Sequence, residues 1–388
     1  MSEFVGAQKL GSPSTFARGG QWTIAVLPGD GIGPEVIRAA TSILQDCAGE
    51  FGFHVNLVEF PFGGSAIDKC GKPLPQETLD GCLKSDAVLL GAVGGPKWDS
   101  QPLDRRPEAG LLGLRQALGV YANVRPIQLR KPLRALCPLR LNPDTKIDFE
   151  IIRELVGDIY FGLHKTEGEG ANERASDLAS YSVPEIERIT RFAFARARIR
   201  ARRVTSVDKA NVLATSRLWR KTVTRIAAEA SDIAVDHLYV DNASMQIILR
   251  PGQFDVLLTS NLFGDILSDE AAALAGSIGM IPSWSAGDGP PLLEPIHGTA
   301  PQLVGKDMAN PSGAILCVSL LLRERFKMPE AADAIERSVD AALADGLRTA
   351  DIAERGSRTI GGSQFAAEVQ TRMRQAFRQR RPERAQPA

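Results

Sequence analysis

The chain has 388 residues, of which 44% are hydrophobic and 24% charged, a composition typical of a globular protein long enough for two or more domains. Lysine plus arginine equals aspartate plus glutamate at 46 each, so no overall field favours nucleic acid or an anionic membrane as a partner. The five cysteines lack CxxC spacing, which predicts reduced thiols of no assigned chemistry; they are Cys47, Cys70, Cys82, Cys137 and Cys317.

The N-terminal segment bears on the cellular compartment. No apolar run approaches the length that spans a bilayer, and residues 1–20 lack the apolar core of a secretory signal. Their serines, glycines, Lys9 and Arg18 leave an organellar transit peptide as the alternative to a frayed terminus. We expect a cytoplasmic protein without membrane contact.

A strand-like run at residues 23–27 is followed by a helix from about Pro34. The intervening Gly29-Asp30-Gly31-Ile32-Gly33-Pro34 does not meet GxGxxG spacing, so a Rossmann dinucleotide site is rejected. The glycines instead predict a tight turn, with Glu35 complementing the helix dipole. A further buried run at residues 87–90 continues the alternation of strand and helix, which predicts parallel α/β architecture.

Three arginines beside apolar residues or glycines come next: Arg115, Arg125 and Arg153. Guanidinium groups suit bidentate capture of carboxylates, but a lone arginine is more often a surface ion-pair partner. The sequence alone does not show whether the three converge. Tyr160 has two interpretations, a proton donor or a core tyrosine with one satisfied hydroxyl.

Charged residues also follow the later strand-like runs. Lys209 comes after a β-branched run, where it is a candidate base, and pairing with Asp208 is the structural alternative. Asp241 is a candidate metal ligand at the end of another strand. The arginine-dense residues 188–203 predict an amphipathic helix with a solvated basic face, because no aromatic platform for nucleic acid accompanies them. The basic residues 372–384 predict a frayed, solvated end.

Asp265 and Asp269 follow a buried strand predicted at residues 254–259. Four-residue spacing stacks two carboxylates on one helix face, just past the strand's carboxyl end, where open α/β sheets bind ligands and where a hard cation would fit. The alternative is that Asp265 merely complements a helix N-terminus while Asp269 is solvated. A phosphoryl-transfer enzyme using the same acids is disfavoured, because the chain has no P-loop.

From about residue 23 to residue 362 the chain resembles one family, the metal-dependent β-decarboxylating 2-hydroxyacid dehydrogenases that include isocitrate and isopropylmalate dehydrogenases, and seven stretches carry the resemblance. They are LPGDGIGPEV at 27–36, GGPKWD at 94–99, RPE at 106–108, IYFG at 159–162, SVDKANVL at 206–213, FGDILSD at 263–269 and EPIHGTAP at 294–301. The resemblance implies a non-Rossmann α/β fold. A large domain of residues 1–120 and 276–388 would hold most cofactor contacts, and an inserted smaller domain, residues 121–275, would form the dimer interface and close over substrate.

The resemblance also implies an NAD-dependent oxidative decarboxylation that requires Mg2+ or Mn2+. Asp265 and Asp269 would hold the cation together with Asp241 from the second subunit of a homodimer. Lys209, also from that subunit, would accept the proton of the substrate's hydroxyl, and Tyr160 would protonate the enolate that remains after carbon dioxide departs. The carboxylates of the small-molecule substrate would be gripped by Arg115, Arg125 and Arg153.

Three apolar residues bear on substrate choice within the family. Leu111 and Leu112 stand where relatives acting on isocitrate carry Ser and Asn, and Val212 follows Lys209 closely. An apolar pocket would leave the extra carboxylate of isocitrate buried and unpaired. The expected substrate is therefore (2R,3S)-3-isopropylmalate, in leucine biosynthesis. Without the family context, Leu111 and Leu112 are equally well explained as helix core.

Two other functions remain as alternatives. The first is a sister enzyme acting on tartrate, malate or homoisocitrate, which the two leucines disfavour. The second is a catalytically silent regulatory or binding subunit, which the joint presence of Tyr160, Lys209 and the three aspartates disfavours.

Two segments match the family's cofactor-binding regions. The nicotinamide segment contains Gly95, Pro96, Lys97, Trp98 and Glu108, and the adenosine loop contains His297, Gly298, Thr299, Ala300 and Asn310. Relatives that use NAD normally place Asp two residues after Ala300, where this chain has Gln302. Glutamine can bond ribose hydroxyls without repelling a 2′-phosphate, so we expect NAD as cofactor but relaxed discrimination against NADP.

The chain departs from the family pattern at two further places. Asp158 stands where a second glycine usually precedes Ile-Tyr; it would disfavour deprotonated Tyr160 if close, or else face solvent. Residues 163–183 form an atypical loop that leaves the shape of the active-site mouth undefined.

Overall fold

The structure is a computed structural model that describes residues 20–380. The segment considered as a transit peptide, up to residue 19, and residues 381–384 of the basic tail lie outside the described range. The strands are β1 (Gln21–Gly29), β2 (His54–Glu59), β3 (Ala87–Ala92), β4 (Val120–Gln128), β5 (Asp148–Glu154), β6 (His164–Glu167), β7 (Arg174–Asp177), β8 (Arg203–Asp208), β9 (Ala234–Tyr239), β10 (Val256–Thr259), β11 (Pro282–Gly287), β12 (Leu292–Pro295), β13 (Leu347–Arg348) and β14 (Arg358–Thr359). The α-helices are α1 (Gly33–Phe51), α2 (Gly64–Cys70), α3 (Gln76–Lys84), α4 (Pro107–Ala117), α5 (Val183–Arg198), α6 (Ala214–Ala228), α7 (Val240–Leu249), α8 (Asn261–Ala272), α9 (Ser312–Leu320), α10 (Pro329–Ala344) and α11 (Gly362–Arg380).

One ten-stranded sheet runs through the described residues in the order β2-β1-β3-β12-β11-β4-β5-β10-β8-β9. Its flanks are parallel, with β1 between β2 and β3 on one side and β10 between β5 and β8 on the other. At the centre, β4 pairs antiparallel with both β5 and β11. The prediction of a parallel sheet therefore holds for the flanks and is wrong at the centre.

The turn after β1 has the predicted form. Gly29 and Gly31 adopt φ of 72° and 58°, which a residue without a Cβ allows at little cost. Helix α1 then begins at Gly33 with Pro34 and Glu35 in its first turn.

Helix α9 lies at the middle of the main hydrophobic core. This helix is apolar on all sides and every one of its residues is buried, because it lies between the sheet and helices α1 and α10. A second core fills the space between α5, α6 and strands β4, β8 and β10, with Trp219 and Ile189 at its centre.

The sheet draws its strands from two parts of the chain. Strands β1–β3, β11 and β12 come from residues 21–92 and 282–295, while β5 and β8–β10 come from residues 148–259. Strand β4 begins at residue 120, next to the boundary expected from the sequence. The division into two domains stays a prediction.

Two segments differ from the sequence expectation. Within the loop expected at residues 163–183, β6 and β7 form an exposed antiparallel hairpin. The tail expected to fray from residue 372 is helical to Arg380, because Met373 is buried against Cys47 of α1. Among the described residues, no helix combines the length and apolar character needed to cross a membrane.

Candidate active site

Antiparallel pairing of β4 and β5 places two of the arginines on one face of the sheet. Asn123 lies opposite Arg153 in register, and Arg125 is two residues further along β4. Because side chains alternate along a strand, all three project from the same face. Both guanidinium groups are buried, and Nε of Arg125 donates to Oδ1 of Asn123 at 2.9 Å. The strand pair thus presents two oriented cations.

Helix α8 lies over this face and carries Asp265 and Asp269. The helix begins at Asn261 and has no acid in its first turn, so the interpretation of Asp265 as a complement to the helix N-terminus is wrong. The two carboxylates stand one turn apart on the same face, as their spacing predicts. The side chain of Asp269 is 59% exposed, yet it accepts from Nη1 of Arg125 at 3.1 Å.

Asp265 is the centre of the contacts in this cluster. Nη1 of Arg153 donates to its Oδ1, the hydroxyl of Tyr160 donates to its Oδ2 at 2.5 Å, and Nη2 of Arg125 lies 3.6 Å from Oδ1. Burial raises the pKa of Asp265, but the charge of Arg153 and the hydrogen bond from Tyr160 outweigh burial and hold that pKa below its ordinary value. For Asp269, which is exposed, partial desolvation of the carboxylate outweighs the charge of Arg125, and the pKa is raised. Neighbouring carboxylates therefore differ in acidity.

Tyr160 is partly exposed and its ring lies 5.4 Å from the guanidinium carbon of Arg153. It is not a core tyrosine. Burial and the hydrogen bond to Asp265 raise the pKa of Tyr160, so the phenol keeps its proton at neutral pH, as a proton donor requires.

Arg115 completes the group of arginines from helix α4. Its Nη2 donates to Oε1 of Glu294 at 2.7 Å, and its buried Nε has no hydrogen-bond partner among residues 20–380. Burial lowers the pKa of Arg125 and of Arg153, and repulsion from Arg115 adds to this in both cases. The three cations therefore converge, and a site of this kind favours an anionic ligand.

Lys209 and Asp241 form a separate pair at the carboxyl ends of β8 and β9. Nζ of Lys209 donates to Oδ1 of Asp241. The alternative of pairing between Lys209 and Asp208 is wrong, because Asp208 is buried and accepts from Arg220 at 2.8 and 2.9 Å. Within residues 20–380 no group of three His, Cys, Asp or Glu side chains could hold a metal ion, so Asp241 does not join Asp265 and its neighbour inside one chain.

The three candidate specificity residues have different surroundings. Leu111 and Leu112 lie one turn before Arg115 on α4 and are both partly buried. Leu111 packs against the buried cluster that contains Phe62, as the helix-core interpretation expects. Val212 is 62% exposed, on the turn that follows Lys209.

The turn after β1 joins the two candidate cofactor segments. The buried carboxylate of Asp30 accepts from the N–H of Gly94 at 2.9 Å, next to the nicotinamide segment. The N–H of Ile32 donates to the carbonyl of Thr299 at 2.9 Å. A Cβ at Gly31 would stand 2.1 Å from that carbonyl oxygen, so the close approach requires glycine.

The nicotinamide segment is held from outside by Asp68. Gly95 precedes a 3-10 turn, Pro96–Trp98, in which Nζ of Lys97 donates to Oδ2 of Asp68 at 2.6 Å. Nε1 of Trp98 donates to Oδ1 of the same carboxylate at 3.2 Å. Glu108 lies in the first turn of α4, with its carboxylate against the backbone of the segment.

The adenosine loop is partly buried and partly exposed. His297 is buried, with Nδ1 3.0 Å from the carbonyl of Gly298 and with no hydrogen-bond partner for Nε2 among the described residues. Burial lowers the pKa of His297, which keeps the ring neutral. Ala300 adopts φ of 39° and Gln302 is exposed. Asn310 lies beneath the loop, where its Nδ2 donates to Asp351 at 3.0 Å.

Sequence reasoning missed the side chains that orient the functional ones. They are Asp30, Asn123, Asn261, Ser268 and Glu294. For Asn123 a signal was available, because its two-residue spacing from Arg125 puts both on one strand face. For the others the signal is long-range pairing, which a single sequence does not contain.

Comparison of the sequence and fold with known proteins shows the family of this chain. The family model for isocitrate/isopropylmalate dehydrogenase matches residues 23–369. Among solved structures, isocitrate dehydrogenase from Methylococcus capsulatus superposes with a TM-score of 0.81 at 34% identity, covering 91% of this chain and 99% of that one. A β-decarboxylating dehydrogenase from Thermococcus kodakarensis has a TM-score of 0.75 at 34% identity, covering 94% and 100%. The chain belongs to the isocitrate/isopropylmalate dehydrogenase family, and the predicted fold class is confirmed.

Curated relatives give a more specific comparison within this family. A 3-isopropylmalate dehydrogenase from Nitratidesulfovibrio vulgaris is 51% identical over 341 residues, covering 87% of this chain and 96% of the relative. One from Salinibacter ruber is 52% identical over 361 residues, covering 93% and 98%. The family resemblance read from the seven sequence stretches is confirmed, and the chain is an oxidative decarboxylating dehydrogenase.

Proposed function

We propose that this enzyme oxidises and decarboxylates (2R,3S)-3-isopropylmalate to 4-methyl-2-oxopentanoate, a step of leucine biosynthesis, with NAD as the oxidant. The observation that carries the proposal is the convergence of Arg125, Arg153 and Tyr160 on Asp265, in a chain half identical to relatives named 3-isopropylmalate dehydrogenase.

The residues around α8 fit a divalent cation. Asp265 and Asp269 present carboxylate oxygens, the ligands that Mg2+ and Mn2+ prefer, from one helix face. Two carboxylates leave positions for further oxygens, which we assign to Asp241 of a second copy and to the substrate. When bound, the cation would stabilise negative charge on the substrate's hydroxyl oxygen, and NAD would take up the hydride.

The chain's own residues supply binding and proton transfer. Arg115, Arg125 and Arg153 would bind the substrate's carboxylates, and the buried, unpaired Nε of Arg115 offers one of the donors. Lys209 accepts the hydroxyl proton as the C–H bond of the same carbon gives up its hydride. Loss of carbon dioxide leaves its bonding electrons in the enolate, and the hydroxyl of Tyr160 then protonates the carbon.

The separation of the two clusters supports a homodimer with shared sites. Lys209 and Asp241 contact each other, while Tyr160 contacts Asp265. Helix α7, which carries Asp241, is joined to α8 by a 3.1 Å hydrogen bond from Ser244 to Glu270. Six apolar residues of the two helices and the Lys209 turn are exposed: Val212, Leu213, Met245, Ile248, Leu249 and Ile266. Such a patch is typical of a protein interface, and we propose that a second copy covers it.

The apolar residues near Arg115 and Lys209 support a substrate that carries an isopropyl group rather than a third carboxylate. Leu112 is partly buried one turn from Arg115, and Val212 is exposed beside Lys209. In a homodimer with shared sites, Val212 of the second copy would reach the site together with its Lys209. An isopropyl group would bury apolar surface there, whereas a carboxylate would lose hydration without a partner.

One assay tests the proposal. Purified protein is given 3-isopropylmalate with NAD or NADP, with Mn2+ or with a chelator, and reduced nucleotide is followed by absorbance. We expect turnover with NAD above NADP, by a modest ratio because Gln302 lacks the charge that repels a 2′-phosphate. Chelator should abolish turnover. Equal rates with and without chelator would contradict the metal assignment.

A substrate panel separates the alternatives. Tartrate, malate, homoisocitrate and isocitrate are compared with 3-isopropylmalate under the same conditions. Higher kcat/KM for any of them would replace the proposed substrate. No turnover of any acid, with activity restored by a second protein, would favour the regulatory or binding subunit.

A further inference from the structure

The backbone at Asp158 lies in the left-handed region, with φ of 68°, which favours glycine. Aspartate tolerates this conformation when its carboxylate bonds locally, and here Oδ1 accepts from the N–H of Ile159 at 2.9 Å. The residue is 8% exposed. The alternative that Asp158 faces solvent is therefore wrong.

The second carboxylate oxygen reaches a different element. Oδ2 of Asp158 accepts from the N–H of Leu262 at 3.1 Å, in the first turn of α8. The N–H groups of a first turn have no partners inside their own helix, and Ser260, the residue before α8, makes no side-chain cap. Asp158 supplies that cap from another segment, where its charge also complements the helix dipole.

Three further hydrogen bonds hold Asn261, the first residue of α8, to neighbouring segments. Nδ2 of Asn261 donates to the carbonyl of Gly157 at 3.1 Å, and its Oδ1 accepts from Nε of Arg153 at 2.9 Å. The hydroxyl of Tyr181 accepts from the N–H of Asn261 at 3.0 Å. The start of α8 is therefore held by neighbouring elements rather than by its own cap.

We propose that Asp158 is a positioning residue of the active site. Its carboxylate joins the 3-10 turn Asp158–Phe161, which carries Tyr160, to the first turn of the helix that carries Asp265 and Asp269. The hydroxyl of Tyr160 is thereby fixed against Asp265. Asp158 acts through other residues and touches no reacting atom. Its catalytic consequence rests on the proposed function, whereas the joint between the two elements does not.

Hydrogen–deuterium exchange on D158G tests whether the carboxylate of Asp158 holds the turn Asp158–Phe161 against the first turn of α8. Glycine adopts the left-handed backbone without strain, so this variant removes the carboxylate without straining the backbone. We expect faster amide exchange in residues 157–162 and 261–265 and little change elsewhere. Unchanged exchange in both segments would overturn the proposal, whatever the activity.

A matched control separates loss of the carboxylate from the introduction of glycine. Lys327 also has a positive φ, of 56°, and is exposed after the π-helical turn Leu321–Arg325. In K327G we expect faster exchange only near residue 327 and wild-type kinetics. Faster exchange at residues 157–162 in this control would also overturn the proposal.

Steady-state kinetics with 3-isopropylmalate test the consequence. In D158G we expect kcat to fall about tenfold with KM nearly unchanged, because the proton donor is misplaced while the arginines still bind substrate. D158N should recover part of kcat, since asparagine favours the same backbone and keeps one acceptor. Wild-type kcat in D158G, or a parallel loss of substrate binding and thermal stability, would refute positioning. If the wild-type chain turns over none of the acids, the proposed function fails, and exchange alone decides the role of Asp158.

Discussion

Asp265 and Asp269 share a helix face but not an electrostatic environment. Of the two aspartates, only Asp265 is contacted by Arg153 and Tyr160, and these contacts keep its pKa low, whereas partial desolvation raises the pKa of Asp269. Asp265 therefore stays ionised over a wider pH range than its neighbour. Two of the three arginines assigned to substrate, Arg125 and Arg153, are paired with the carboxylates assigned to the cation.

This environment predicts how stability depends on pH. The pKa of Asp265 lies below its ordinary value of 3.8, so its ion pairs stabilise the fold above that value and are lost as pH falls through the folded-state pKa. We expect D265N to be less stable than wild type at neutral pH, and the difference to shrink as pH falls below about 4. Denaturant titrations across this range measure it. A difference that does not change with pH would contradict the assignment.

Tyr160 carries the second prediction at this scale. Y160F removes the hydroxyl that donates to Asp265 and, in the proposed function, to the substrate carbon. We expect kcat to fall by about a hundredfold or more with a smaller change in KM. Y121F is the matched control, because the ring of Tyr121 packs against Phe192 and Arg188 outside this cluster. Y160F activity within a few-fold of wild type would remove Tyr160 from the mechanism.

Helix α8 depends on close contact with strand β5. A Cβ at Gly264 would stand 2.3 Å from Oγ1 of Thr259 and 2.7 Å from Cγ of Arg153. Glycine is therefore required for the helix to lie directly on the arginine that its aspartate contacts. The packing of α8 on β5 and the contact between Arg153 and Asp265 therefore depend on the same glycine.

Gly264→Ala tests that constraint. The added methyl group would push α8 away from β5, and we expect a loss of about 1–3 kcal/mol in unfolding free energy together with a fall in kcat/KM. Urea titration and steady-state assays measure both. Gly49→Ala on α1 is the control, because no atom lies within 4 Å of its added Cβ, and it should stabilise by about 0.5–1 kcal/mol. Equal stability of the two variants would contradict the packing argument.

Helix α5 shows the same dependence of an element on its neighbours. Its amphipathic pattern predicted a solvated basic face, and most of its arginines are at the surface. Arg196 is not, because it pairs with Glu150 at 2.6 Å and with Glu324 at 2.8 Å while only 11% of its side chain is exposed. The sequence of α5 alone does not predict that the charge of Arg196 is buried, because both of its partners come from distant segments.

For the whole molecule, the residues proposed to be catalytic form two clusters that do not contact each other within one chain. Tyr160 lies with Asp265, and Lys209 lies with Asp241. If two copies complete each other's sites, a defect in one cluster can be offset by the other chain. Self-contained sites would not allow this.

Co-expression of two inactive variants tests the shared site. In a mixed dimer of K209A and Y160F, one site would have both wild-type residues and the other neither. Random pairing should therefore restore about a quarter of wild-type activity. Each variant alone is the control, and sedimentation checks that the mixture is dimeric. No recovery from a dimeric mixture would refute the shared site.

Local features of the site were readable from the sequence because they depend on nearby residues. The turn at Gly29 and Gly31, the helix face of Asp265 and Asp269, and the strand before it follow from short-range spacing and steric limits. The seven family-like stretches added the fold class, which the comparisons confirm.

Only the tertiary structure decided which residues meet. Opposite placement of Asn123 and Arg153 depends on the register of β4 and β5, and the pairing of Lys209 with Asp241 rather than Asp208 depends on the order of β8 and β9. The antiparallel centre of the sheet and the cap that Asp158 provides for α8 are of the same kind. Each is a contact between segments far apart along the chain, set by the packing of the whole sheet, and so no local pattern of residues encodes it.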